Sequence, residues 1–185
     1  MKAIKASRAS NAVTLEDLGA QHFDLVAQWL SRPEINRWLT RQWRDKKTSA
    51  SMIAIAVRDR SNRLFMVRHG GNPCGLVGLA DIDAEDGTAM VWYVLGEEKL
   101  SGRGITSRAV SELARVAFGE LGLMSLYAWV MEDNFPSQKV LRKVGFLEAG
   151  RIRQSARSAG RLVDRIYFDL IPSEIGVRDE MPQKD

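Results

Sequence analysis

The chain has 185 residues, 45% of them hydrophobic and 27% charged, which suits one compact domain with an apolar core and excludes disordered, collagen-like and fibrous classes. Lysine and arginine number 27 against 23 aspartate and glutamate, a net charge of +4 scattered in both signs; this bias is too weak for nucleic-acid binding and tilts the surface only slightly toward anionic, phosphorylated small ligands. A single cysteine, Cys74, and two histidines, His22 and His69, exclude an internal disulfide, leave no zinc-ligand set and count against Ser-His-Asp chemistry.

No uncharged apolar run approaches the ~20 residues of a membrane span, and Met1–Ala12 carries basic residues without a following apolar segment. The chain therefore reads as soluble and cytoplasmic, without a metal, a membrane or a nucleic-acid partner. Its expected organisation is a leader over 1–12, one domain over 13–171 and a polar tail over 172–185. Cys74 lies in an apolar run ending at Leu79 and reads as a small packing residue rather than a nucleophile.

In chain order, Val13–Leu15 suggests a short strand, and Asp17 opens a helical pattern with Phe23, Val26, Ala27 and Leu30 on one face. Pro33 interrupts it. A short segment with Ile35, Trp38 and Leu39, a polar stretch over 40–47 and a second helix over 49–58 follow, so the Trp29–Trp43 region is helix and loop. From Arg63 the period changes to strands: Leu64–Arg68, a turn over Gly70–Pro73, Cys74–Ala80, an acidic turn over Asp81–Gly87, then Ala89–Leu95, which together form an antiparallel meander. The last of these is apolar on both faces, as a central strand covered on both sides must be. Ile105–Gly119 carries a helical stripe of Ile105, Ala109, Val110, Leu113 and Ala117, and Ser125–Met131 is a strand, which implies a right-handed crossover between parallel strands. A helix over Pro136–Val144 and a hairpin over Phe146–Arg157 and Arg161–Ile171 complete the order. The fold class is α/β (α+β): a twisted, mostly antiparallel sheet of about seven strands with helices on both faces and one splayed parallel pair.

Two segments carry chemistry. The first, Leu95–Thr106, joins a buried strand to an amphipathic helix and places Gly102 and Gly104 at the helix start, where unpaired N–H groups and the dipole favour a phosphate and glycine admits close approach. Arg103 and Arg108 add cations within reach of a pyrophosphate or 3′-phosphate. The plainer account is a glycine-rich helix cap. A Walker A loop is ruled out by the missing Gly-Lys-Ser/Thr, and a dinucleotide fingerprint by Ser107 in place of its third glycine. The second segment, Asn134–Phe146, runs from a strand end through a short helix, with Asn134 as its N-cap and Gly145 as its C-cap in the plain account.

Taken together these segments resemble the GNAT superfamily of acetyl-coenzyme A-dependent N-acetyltransferases. The family's glutamine- or arginine-x-x-glycine-x-glycine loop is similar to Lys99–Gly104, and its asparagine-x-x-alanine/serine helix ending in glycine-phenylalanine is similar to Asn134–Phe146. Asn134-x-x-Ser137, with Gly150–Arg153 and Gly160–Tyr167, resembles the RimJ/RimL branch. The resemblance implies acetyl-CoA as co-substrate and a cofactor-contacting set of Tyr93, Val94, Leu95, Gly102, Arg103, Gly104, Ile105, Thr106, Arg108, Asn134, Ser137 and Arg142. Asn134 would bond the pantetheine arm, and Ser137 would lie near the sulfur. The common family tyrosine falls at Leu141, which leaves Ser137 or water to assist thiolate departure. A strand N–H near Leu95 is the candidate oxyanion donor.

The acceptor amine must lose a proton, and Glu132 is taken as the candidate base, with Asp133, Asp81 and Asp83 as alternatives or solvated turn carboxylates. Asp164 shares strand parity with Ile166, Phe168 and Leu170 and reads as one member of a structural ion pair. Trp38 and Trp43 line an acceptor groove or belong to the core. Arg151, Arg153, Arg157, Arg161 and Arg165 form a solvated hairpin face or favour an anionic acceptor. The expected reaction is acetyl transfer to a small-molecule or peptide amine, such as a protein N-terminus or a nucleotide-linked amino sugar, by a monomer or homodimer. The rivals are a non-catalytic coenzyme A-binding module and a nucleic-acid binder.

Overall fold

A run of β-branched and aromatic residues such as Met90-Val-Trp-Tyr-Val94 fits a pleated surface packed on both sides, and the computed structural model builds its centre from such runs. It describes residues 12–40, 43, 44, 46–158 and 160–175. The leader expected over 1–12 and the tail expected over 172–185 fall outside these apart from residues 12 and 172–175. Seven strands, β1 (Val13–Asp17), β2 (Arg63–His69), β3 (Asn72–Asp83), β4 (Thr88–Leu95), β5 (Ser125–Met131), β6 (Leu147–Ser158) and β7 (Arg161–Leu170), form one sheet in the order β1-β2-β3-β4-β5-β7-β6. Every neighbouring pair is antiparallel except β4 and β5.

The helices are α1 (Phe23–Leu30), α2 (Pro33–Asn36), α3 (Ala50–Arg58), α4 (Ile105–Gly119) and α5 (Phe135–Val144). The buried stripe of α4 packs with alternate residues of the central strands, among them Val77, Val91, Leu126 and Phe168. On the other face α1 and α3 enclose Trp29, Leu30, Ile53, Met66, Leu76 and Val94. Each strand residue so buried contributes roughly 1.5–3 kcal/mol of hydrophobic stabilisation. No helix among the described residues is long and apolar enough to cross a membrane.

Two expected boundaries are displaced. Asp17 ends β1 rather than opening a helix: it pairs in register with Phe65, its carboxylate meets Arg63 at 3.3 Å, and a 3-10 turn over Ala20–His22 precedes α1. Cross-strand pairing with β2 outweighs the local helical signal. β3 also outlasts its expected end at Ala80, because Asp83 Oδ1 accepts the Glu85 and Asp86 N–H groups, each at 2.9 Å, and shortens the acidic turn.

Candidate active site

The parallel pair decides where a ligand fits. β4 and β5 are in register only through Thr88, Ala89 and Met90 and diverge beyond that point. Gly96 N–H donates to Cys74 O at 2.9 Å, and antiparallel alternation then turns the Tyr93 and Leu95 backbone groups away from β3 toward the opening beside β5. Two strands that part in this way expose a short row of backbone donors and acceptors inside a wedge. The Tyr93 hydroxyl crosses the wedge and donates to Ser137 O on α5 at 2.9 Å, and burial raises the phenol's pKa, so it stays protonated.

At the mouth of the wedge the chain turns through Gly102 and Gly104, with φ of +75° and +69°, into α4. Gly104 is the N-cap, and no side chain caps this end, so its amides are left for an anion. A Cβ at Gly104 would sit 3.6 Å from Lys143 Nζ, which places an ammonium against the same cradle. The opposite rim is α5, where Asn134 is the N-cap and its side chain accepts the Ser137 N–H at 3.3 Å. These parts share one cleft of about 1160 Å³.

Tyr93, Val94, Leu95, Gly102, Gly104, Ile105, Thr106, Asn134 and Ser137 all line that cleft. Arg103, Arg108, Arg142 and Glu132 do not. Arg108 folds back on its own helix start, donating to Gly104 O and Arg103 O, both at 3.4 Å. Arg142 stands on the far side of α5, paired with Glu148 at 2.9 Å and lying over the Phe168 ring. Glu132 accepts the Asp164 N–H at 3.2 Å and pairs with Arg151 at 3.4 Å, which turns its carboxylate away from the cleft. The cleft-facing cations of α5 are Lys139 and Lys143 instead. Their i, i+4 spacing on the face of Pro136 and Val140 is the signal that could have singled them out.

The other half of the cleft, on the α1–α3 face of the sheet, is aromatic. Trp38, Trp43, Trp92 and Trp129 line it, with Trp43 and Trp92 stacked at 6.5 Å. The carboxylates of Glu34, Asp59, Asp81 and Asp133 lie along it. Sequence reasoning reached Trp38 and Trp43 but missed Trp92 and Trp129, whose strands present alternate faces to opposite layers. Two of the hairpin arginines are engaged on opposite faces: Arg151 pairs with Asp164 at 3.1 Å and with Glu132, and Arg165 lies 4.3 Å over the Trp129 ring. Cys74 is buried, donates to Val67 O, and has its thiol pushed up to about 11 by burial and by Glu97, so it is inert at neutral pH.

A strand pair split at its C-terminal end, a glycine-opened helix and an asparagine-capped helix across from it suit a ligand with a phosphate end and an extended amide arm, as a coenzyme A-dependent acyltransferase requires. Residues 12–147 match the family model for the acetyltransferase (GNAT) domain, and the chain belongs to that family: it is an acetyl-CoA-dependent N-acetyltransferase. It is 29% identical over 168 residues to the Bacillus licheniformis "Uncharacterized N-acetyltransferase p20", covering 88% of this chain and 94% of that one. It is 30% identical over 145 residues to the spermidine N(1)-acetyltransferase of Escherichia coli K12, covering 78% and 77% of the two chains. A Vibrio cholerae spermidine N-acetyltransferase solved with CoA and spermine superposes with a TM-score of 0.79 at 19% identity, over 88% of this chain and 96% of that one; the likeness is one of fold.

Proposed function

We propose that the chain transfers the acetyl group of acetyl-CoA to the N-terminal α-amine of a polypeptide, by direct attack while both substrates occupy the cleft. The observation that carries this reading is the wedge between β4 and β5, which opens onto two helix N-termini. The pyrophosphate rests on the amides at Gly104–Thr106 beside Lys143, and the pantetheine runs along Tyr93–Leu95 as an added strand would. Asn134 has its carbonyl oxygen engaged by the Ser137 N–H, which leaves its NH₂ end for a pantetheine carbonyl. Leu95 N–H stabilises the oxyanion, and the Ser137 hydroxyl hands a proton to the departing thiolate.

The acceptor follows from the charge of the other half. Four carboxylates oppose a pyrophosphate-linked sugar and favour an ammonium, two of the hairpin arginines that argued for an anionic acceptor, Arg151 and Arg165, are engaged elsewhere, and the tryptophans suit the first side chain of a peptide. The RimJ/RimL-like Asn134-x-x-Ser137 and a cytoplasmic setting, with its reduced buried cysteine, agree with this reading. A polyamine acceptor is the second reading, favoured by the resemblance to the E. coli spermidine N(1)-acetyltransferase.

The test is coenzyme A thiol release across peptides, polyamines and a nucleotide-linked amino sugar. The reading predicts a kcat/KM for a peptide at least about tenfold above the other classes. A polyamine in first place transfers the assignment to the second reading, and acetyl-CoA binding without release for any amine makes the chain a binding module.

A further inference from the structure

Six side-chain atoms among the described residues are buried without a hydrogen-bond partner, and Asp133 Oδ1 alone of them belongs to a carboxylate. Asp133 sits in the turn between β5 and α5 and lines the cleft beside Trp38, Phe135 and Ser137. Its other oxygen, Oδ2, accepts a hydrogen bond from Ser158 Oγ at 2.7 Å, across from the end of β6. One oxygen is thus fixed by the hairpin and the other is desolvated with nothing to receive. An anionic acceptor left in that condition carries a penalty of several-fold in stability or more unless a donor arrives with a ligand.

The charged groups around Asp133 do not supply that donor. On its outer side a pocket of about 460 Å³ holds Glu132, Glu148, Arg142, Arg151 and Arg161, and the two glutamates are the partners of Arg151 and Arg142. On the cleft side stand Glu34, Arg37, Asp59, Asp81, Lys139 and Lys143, and Arg37 is spread over the Trp38 ring at 4.4 Å. Arg165, paired across β7 with Met131, lies over the Trp129 ring with its buried Nε also unpartnered, and neither it nor any of these cations hydrogen-bonds to Asp133 Oδ1.

We propose that Asp133 is the catalytic residue that receives the acceptor's ammonium on Oδ1 and takes its proton. The inference rests on the acetyl-transfer reading above and deepens it. The N–H bond of the ammonium breaks and the proton passes to Oδ1. The nitrogen lone pair then forms the C–N bond with the thioester carbonyl carbon, and the C–S bond breaks. The nitrogen releases a second proton to the Ser137 hydroxyl as that hydroxyl protonates the departing sulfur, giving amide and coenzyme A thiol, and Asp133 returns its proton to solvent. Ser158 holds Oδ2, so Oδ1 is the oxygen of the pair left without a donor.

The test is the pH profile of kcat/KM for Asp133→Asn, Asp133→Glu and Ser158→Ala with one peptide amine, together with acetyl-CoA affinity. A proton acceptor is worth about 10²–10⁴ in rate, so Asp133→Asn should fall at least about 100-fold at pH 7 and recover toward wild type once the pH passes the amine's own pKa. Acetyl-CoA affinity should be unchanged, Asp133→Glu should restore part of the rate, and Ser158→Ala should lose less than Asp133→Asn. A loss in Asp133→Asn that is the same at every pH, or one of less than about threefold at pH 7, overturns the proposal. Wild-type protein that releases no thiol with any amine overturns the transfer reading itself, and this assignment with it.

Discussion

In the proposed phosphate cradle Gly104 and Lys143 have opposite parts: one has no side chain, the other brings a charge. Gly104→Glu forces a side chain into the left-handed region at φ +69° and sets a carboxylate against Lys143, so acetyl-CoA affinity measured by calorimetry should drop at least about tenfold. Lys143→Ala should cost acetyl-CoA affinity by about tenfold, the worth of one charge-assisted hydrogen bond, whereas Arg142→Ala should leave that affinity unchanged and lower thermal stability. The glycine spacing was legible because few arrangements of Gly-x-Gly precede a helical stripe. That Lys143 rather than Arg142 lines the cleft was not, because it depends on which side of α5 meets the sheet, and that is set by Gln138, Leu141 and Val144 packing inward. Glu132 and Asp133 show the same limit: of two adjacent carboxylates in one turn only Asp133 reaches the cleft, and the Arg151 and Ser158 contacts that hold them come from a hairpin some 20 residues on.

The wedge and the hairpin are the two elements whose behaviour follows from a few bonds. Tyr93→Phe removes the one side-chain bond described across the wedge and should cost about 1 kcal/mol of stability, with a weaker grip on acetyl-CoA as the readout that a purely structural role would not give. In the hairpin the Gln154 N–H at 2.8 Å, aided by Arg151, holds the Asp164 carboxyl below its usual range despite its partial burial. A carboxyl whose folded pKa is depressed adds stability that is present above its unfolded value near ~4 and is lost as pH falls through the folded value. Thermal melts of Asp164→Asn should therefore show a flatter decline below pH ~4 than wild type; an identical acid limb would remove Asp164 from the account. The pairing of Asp164 was legible from strand parity. The register shift between Ile152 and Ala156, with Gln154 at φ +52°, was not, since no glycine, asparagine or proline marks it.

Across the molecule, most elements were legible because their periods agree with their neighbours: Ile105–Gly119 and Ser125–Met131 appear over the expected residues. The misplaced start of the first helix at Asp17 reflects pairing with a strand some 50 residues on, which no local pattern contains. The net charge of +4 gave no hint of the division inside the cleft, with lysines beside the Gly102–Gly104 turn and carboxylates among the tryptophans. That division, built on the parted strands, is the basis of the claim that an acetyl thioester and an amine meet here. The most direct test follows coenzyme A thiol and acetylated peptide together in wild type and in Gly104→Glu. The account predicts that the two products rise in equal amounts in wild type and that both are lost in the variant at the same acetyl-CoA concentration. Acetyl-CoA bound in the wedge with neither product formed, or a Gly104→Glu variant as active as wild type, would contradict it.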